Sequence, residues 1–115
     1  SNHGGRQFDG APAALDALPE IAKVVNGKAK ILFDSGIRSG LDIIRALVSG
    51  ADFVLCGRAY MYGVAALGQL GGAHTTEILR DDMKINMAQL GVNTISDLKS
   101  VNIYGISKEK KFTDF

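Results

Sequence analysis

The chain has 115 residues, with 13 basic against 12 acidic side chains and a formal net charge of +1. Its 46% apolar and 22% charged residues are ordinary globular composition, which excludes a disordered, collagen-like or coiled-coil chain and leaves no bulk field to attract nucleic acid or an anionic membrane. The length suits one small domain, no apolar run reaches transmembrane length, no signal-peptide pattern is seen, and the single Cys56 suits a reducing compartment.

Residues 1–12, SNHGGRQFDGAP, are rich in Gly and polar side chains and predict a loop. From Ala13 to Val25 apolar residues recur at helical spacing. Pro19 interrupts them, which predicts a short turn at 13–18 and a better helix from Pro19 to the Asn26-Gly27 stop. Ala29–Asp34 reads as a buried parallel strand ended by Ser35-Gly36. A helix then opens at Ser39 or Gly40, carries Leu41, Ile43, Ile44, Leu47 and Val48, and closes at Ser49-Gly50. Asp52–Cys56 predicts a second strand, followed by helical pattern over Ala59–Leu67. The pattern breaks at Gly71-Gly72 and returns over Thr75–Leu90, with Ile78, Leu79, Met83, Ile85, Met87 and Leu90 as its apolar side and Gly91 as its cap. Ser96–Ser100 reads as one more turn and 101–115 as an extended tail, with a local charge excess at Lys108–Lys111.

Strands alternating with helices call for right-handed crossovers and a parallel sheet, an α/β fold. Two strands alone leave faces and edges of such a sheet uncovered. Together with an opening on a dense polar motif without an initiator Met, this predicts a piece of something larger.

The chemistry gathers at the strand ends. Asp34-Ser35-Gly36-Ile37-Arg38 and Gly57-Arg58 each place a glycine where a backbone can approach a ligand, and an arginine able to bind phosphate through two parallel hydrogen bonds. Helices starting just beyond would aim free N–H groups at the same anion. Paired strand ends of this kind fit the phosphate site after the last two strands of a (β/α)8 barrel; the plainer alternative is turn glycines and solvated arginines. In Ser1-Asn2-His3-Gly4-Gly5-Arg6, His3 is a candidate general base and Arg6 a candidate carboxylate ligand, against the alternative of a polar loop with a capping His. His74 reads as a helix-start residue and Cys56 as core. Tyr60 and Tyr62 fit packing better than a pocket wall. His3, His74 and Cys56 lack metal-ligand spacing, so no metal site is expected.

The segments SNHGGRQFDGAPAALDALPEI, LFDSGIRSGLDIIRAL and GRAYMYGVAALG, in order and at family spacing, resemble the C-terminal part of the FMN-dependent α-hydroxy-acid dehydrogenases and oxidases. Glycolate oxidase, lactate oxidase, lactate monooxygenase, mandelate dehydrogenase and the flavocytochrome lactate dehydrogenases belong to that family. The resemblance implies that residues 1–115 are the C-terminal part of one FMN-binding TIM barrel: the strand-six loop, the last two βα units, a C-terminal helix and a tail. It implies FMN-dependent oxidation of a small (S)-2-hydroxy acid of lactate or glycolate type to the 2-oxo acid. His3 matches the active-site base, which also contacts substrate, and Arg6 matches the ligand of the substrate carboxylate. Ser1, Asp34, Ser35, Gly36, Ile37, Arg38, Gly57 and Arg58 match FMN-binding positions.

The implied electron acceptor is oxygen, a quinone or a cytochrome. A homo-oligomer, often a tetramer, is implied for the complete protein, in the cytoplasm or attached to a membrane as some relatives are. The family's tyrosine pair, the Asp orienting the base and the Lys near flavin N1 lie upstream of these motifs and are absent here. The alternative is therefore a non-catalytic phosphate- or FMN-binding barrel fragment, active only with the N-terminal part of the barrel.

Overall fold

A computed structural model of the chain describes residues 1–102. Most of the tail expected at 101–115, and all of the charge run at 108–111, fall outside the described residues. Four helices and two strands follow in the order α1 (Ala14–Val25), β1 (Leu32–Asp34), α2 (Gly40–Val48), β2 (Phe53–Leu55), α3 (Arg58–Leu67) and α4 (Gly71–Gln89). Short 3-10 turns at His3–Arg6, Gly68–Leu70 and Ile95–Ser100 complete the set. The predicted αβ alternation is present, and β1 and β2 pair in parallel with Leu32 opposite Phe53, Phe33 opposite Val54 and Asp34 opposite Leu55.

Helix α1 runs unbroken through Pro19, correcting the expected turn at 13–18. The proline removes only the hydrogen bond to the Leu15 carbonyl, and its fixed φ is helical. Packing decides the outcome: Leu18 is buried, with Ala14 and Leu15 against the same core, so the turn before the proline is held by tertiary contacts. Asn26, in the left-handed region, ends the helix and returns its N–H to the Ala22 carbonyl.

The strands are shorter than Ala29–Asp34 and Asp52–Cys56 predict, and the expectation of burial on both faces fails. Phe33 is buried and Val54 packs against the same core of Leu18, Ile37, Ala46 and Ala51. On the other face Leu32 and Phe53, directly opposite each other, are both 60% exposed, and Leu55 is exposed beside them. Alternation along a strand sends neighbours to opposite faces, and here one face has the helices while the other has no cover among the described residues. Asp52 clamps the strand entrance: its carboxylate accepts the Ile31 N–H at 2.9 Å and the Lys30 ammonium at 3.0 Å.

Helix α2 packs against β2, α4 and the 95–100 turn, with Ile44 and Ala46 fully buried. Gly40 lets the start of α2 touch the backbone of α4, since a methyl group there would overlap the main chain at Asp82 and Met83. The predicted break at Gly71-Gly72 lies earlier, at Gly68, and α4 already begins at Gly71. Gly71 and Thr75 lie against Gly63 of α3, a crossing too close for a side chain at either glycine. His74 consequently lies inside α4 rather than at its start. Of the expected apolar side of α4, Leu79 is buried and Met83 and Met87 are half-buried, but Ile78, Ile85 and Leu90 are exposed. Gly91 caps the helix as predicted: it is left-handed at φ +69°, with Gly91 and Val92 N–H groups bonded back to Ala88 and Met87.

Candidate functional site

The in-register pair Asp34–Leu55 ends both strands at one level, so the Asp34–Arg38 and Cys56–Arg58 loops leave the sheet side by side. The N-terminal segment, expected as plain loop, instead forms a 3-10 turn over His3–Arg6, closed by the Gly5 N–H on the Asn2 carbonyl at 3.1 Å. Two hydrogen bonds fasten this turn to the end of β1. The Asn2 N–H donates to Ser35 Oγ at 2.9 Å, and the Ser1 hydroxyl donates to Asp34 Oδ2 at 3.0 Å.

Between the turn and the two loops lies one open cleft of about 860 Å³, a size that holds a cofactor. His3 and Arg6 line one part of it, Asp34, Ser35, Gly36 and Arg38 another, and Gly57 with Arg58 a third. Ile37 borders the cleft while belonging to the buried core, so it anchors its loop. Ser1 does not line the cleft and reaches it through Asp34. The residues that the sequence picks out across more than fifty positions therefore converge.

Some cleft residues were not picked out. Asn2, Asp42, Arg45 and Met61 also line it. Asp42 accepts the Arg38 N–H at 3.2 Å and pairs with the Arg45 guanidinium at 3.2 Å, tying the first loop to α2. The Ser39-x-x-Asp42 spacing, a helix-start signature, was the available signal. Tyr60 lies outside the cleft, its hydroxyl bonded to that of Thr76 at 2.9 Å, and Tyr62 is exposed and also outside. Cys56 packs against the core; burial, then the nearby Asp34 charge, push its thiol pKa up.

The electrostatics favour an anion, since four arginines face two carboxylates around the cleft and one of those carboxylates is already paired with Arg45. The two helix starts differ from expectation and from each other. At α2 the N–H groups are taken: Ser39 Oγ accepts that of Asp42 at 3.1 Å, and the Asp82 carboxylate from α4 accepts those of Gly40 at 2.6 Å and Leu41 at 3.3 Å. Asn86 holds Asp82 in turn, its side-chain amide donating at 3.0 Å. At α3 no side chain among the described residues caps the helix, and its N-cap Gly57 faces open space. The open start of α3, with Arg58 as its first residue, leaves main-chain donors free to meet an anion. Gly36, left-handed at φ +81° and also facing open space, keeps the first loop flat on the same cleft. A phosphate-bearing cofactor thus fits the residues present.

The chain is similar in sequence and fold to known proteins. The L-lactate oxidase of a Nostoc species is 52% identical over 98 residues, covering 85% of this chain and 27% of the relative. The L-lactate dehydrogenase of Xanthomonas axonopodis pv. citri is 46% identical over 110 residues, covering 96% of this chain and 28% of the relative. Among solved structures, a lactate oxidase from Pediococcus acidilactici superposes with a TM-score of 0.82 at 46% identity, covering 89% of this chain and 28% of that one. A mandelate oxidase with benzoyl-formic acid gives a TM-score of 0.82 at 40% identity, covering 89% and 30%. The chain spans about three-tenths of the length of these relatives. The profile of the FMN-dependent dehydrogenases matches residues 1–104, which takes in both strand-end loops, the His3–Arg6 turn and the open start of α3. The chain belongs to the FMN-dependent dehydrogenase family, whose cofactor is FMN.

Proposed function

We propose that this chain forms the phosphate side and the base side of a flavin site that oxidises a small (S)-2-hydroxy acid, of lactate or glycolate type, to the 2-oxo acid. The observation that carries the reading is the convergence of His3 and Arg6 with the Gly57–Arg58 helix start on one cleft. The uncovered sheet face of Leu32, Phe53 and Leu55 supports a second element of the proposal. Further parallel strands, on the same polypeptide or a second chain, close β1 and β2 into a (β/α)8 barrel whose interior that face lines. Activity belongs to that assembled holoenzyme.

Arg58 and the free N–H groups at the start of α3 hold the FMN phosphate, with Gly57 allowing close approach. Main-chain N–H groups of Ser35 and Gly36, the Arg38 guanidinium and the Asp34 carboxylate hold the rest of that side. FMN, when bound, supplies the two-electron acceptor. Arg6 binds the substrate carboxylate through paired hydrogen bonds, which fixes the carbinol carbon relative to His3. An imidazole nitrogen of His3 takes a proton from the substrate and holds it as imidazolium. The overall change removes two electrons and two protons from the hydroxy acid.

The test is anaerobic bleaching of the flavin in the assembled holoenzyme by lactate, glycolate or mandelate. His3→Gln is expected to slow the bleaching by roughly 10³-fold, within the range for loss of a general base, while FMN remains bound. A near-normal rate in His3→Gln rejects the assigned base. Failure of all three acids to bleach the parent protein rejects the substrate class.

A further inference from the structure

We infer that Ser35 is a positioning residue: its hydroxyl latches the His3–Arg6 turn to the end of β1, at the cost of an unfavourable backbone conformation. This rests on the reading of His3 and Arg6 as the groups that meet substrate.

Ser35 has φ +107° and is followed by Gly36 at φ +81°. In that half of conformational space a Cβ is opposed and glycine is the relaxed choice. Of the described non-glycine residues, Asn26 is the other one with positive φ, and it sits at a helix end where asparagine is at ease. Serine at 35 gains what glycine lacks, a side-chain acceptor 2.9 Å from the Asn2 nitrogen. The neighbouring strap from the Ser1 hydroxyl to Asp34 Oδ2 makes two adjacent residues grip two adjacent residues, which fixes orientation as well as position.

Asn2 is the pivot. Its carbonyl accepts the Gly5 N–H, and its side chain lies where a side chain on Gly5 would be. A rotation at Asn2 therefore carries His3 and Arg6 together, and a small misplacement of such groups is expensive in rate. Because the Ser35 hydroxyl is engaged with the turn, its side chain serves alignment, whereas its main chain serves the cofactor.

The experiment compares Ser35→Gly and Ser35→Ala with the parent holoenzyme. Ser35→Gly removes both the unfavourable conformation and the latch. Its melting temperature holds or rises, while amide hydrogen exchange across residues 1–7 quickens and flavin reduction slows, each by about tenfold, the equivalent of one hydrogen bond. FMN affinity stays within about twofold, because it does not depend on the lost acceptor, while KM for the hydroxy acid rises because Arg6 moves with the turn. Ser35→Ala keeps the Cβ and loses the latch, so it shows the same exchange and rate change with a lowered melting temperature.

Exchange and reduction rates both within about twofold of the parent in Ser35→Gly overturn the inference. So does a loss of FMN affinity that matches the loss in rate, which would make Ser35 a cofactor contact only. If the parent holoenzyme is not reduced by any 2-hydroxy acid, the functional reading falls, and the exchange and melting results decide the latch by themselves.

Discussion

The starts of α2 and α3 follow the same local recipe, a parallel strand, a glycine and an arginine, yet they end in opposite states. At α2 the N–H groups are spent on Ser39, Asp42 and Asp82. At α3, among the described residues, the Gly57 carbonyl accepts the Tyr60 and Met61 N–H groups and no side chain caps the end. A helix start attracts anions through its free donors and its dipole. One start has been filled by a carboxylate from α4, 42 residues from Gly40 in sequence, so it serves as a structural joint. The other is left open toward the cleft, and there we propose the ligand seat.

That contrast breaks most sharply at the arginines. Arg58→Ala removes a charged, two-point phosphate ligand at the open start and is expected to weaken FMN binding about 100-fold, or roughly 3 kcal/mol. Arg38→Ala, beside the filled start, is expected to weaken it only about tenfold. Fluorescence titration of the flavin-free assembled enzyme with FMN reads both. Equal losses would mean that the two strand ends share the phosphate, and the division between joint and seat would be wrong.

Asp82 sharpens the other half of the comparison. Asp82→Ala leaves the Gly40 and Leu41 N–H groups without a partner in a partly buried joint, which is expected to cost about 2 kcal/mol of stability. Asp82→Asn keeps one acceptor and loses the charge, so about half that loss is expected. Urea unfolding of the holoenzyme measures both, and FMN affinity should barely change in either. A parent-like midpoint for Asp82→Ala would show that the contact from α4 holds nothing together.

How much of this is readable in the sequence follows from the range of the interactions. The αβ alternation, the Gly91 cap and the two Gly–Arg loops rest on local rules, and they appear in the structure as read. The approach of His3 and Arg6 to those loops is implied only by the family resemblance, because the Ser1–Asp34 and Asn2–Ser35 bonds that bring the turn to the end of β1 are not local. The continuity of α1 through Pro19 is not legible, because it depends on Leu15 and Leu18 meeting residues from β1 and beyond. The filling of α2 by Asp82 is hidden for the same reason: a carboxylate inside a later helix gives no local sign of where its oxygens point. The exposed Leu32, Phe53 and Leu55 read as buried because composition states only that a residue is apolar. Ser35 was legible as a loop residue but not as a latch, since its backbone angle and its Asn2 partner are properties of the fold.

The smallest effect concerns a third helix start, where the capping carboxylate is local. Thr94 and Asp97 form a reciprocal capping box at the 95–100 turn: Asp97 accepts the Thr94 N–H at 2.9 Å, and Thr94 Oγ1 accepts that of Asp97 at 3.3 Å. The Thr94 hydroxyl, then its backbone N–H, hold the Asp97 carboxyl below the usual carboxylate range. A group whose pKa is lower folded than unfolded adds stability above its unfolded value, and that contribution is lost as the pH falls through the folded value. Asp97→Asn should therefore lower the melting temperature slightly at neutral pH and leave it parent-like in acid, below the carboxylate range. The two melting curves, plotted against pH, converge on the acid side. Because the group is exposed, screening by salt shrinks the gap further. A gap that persisted undiminished into acid would mean that the box acts through shape and not through charge, and a charged cap would then distinguish α2 alone.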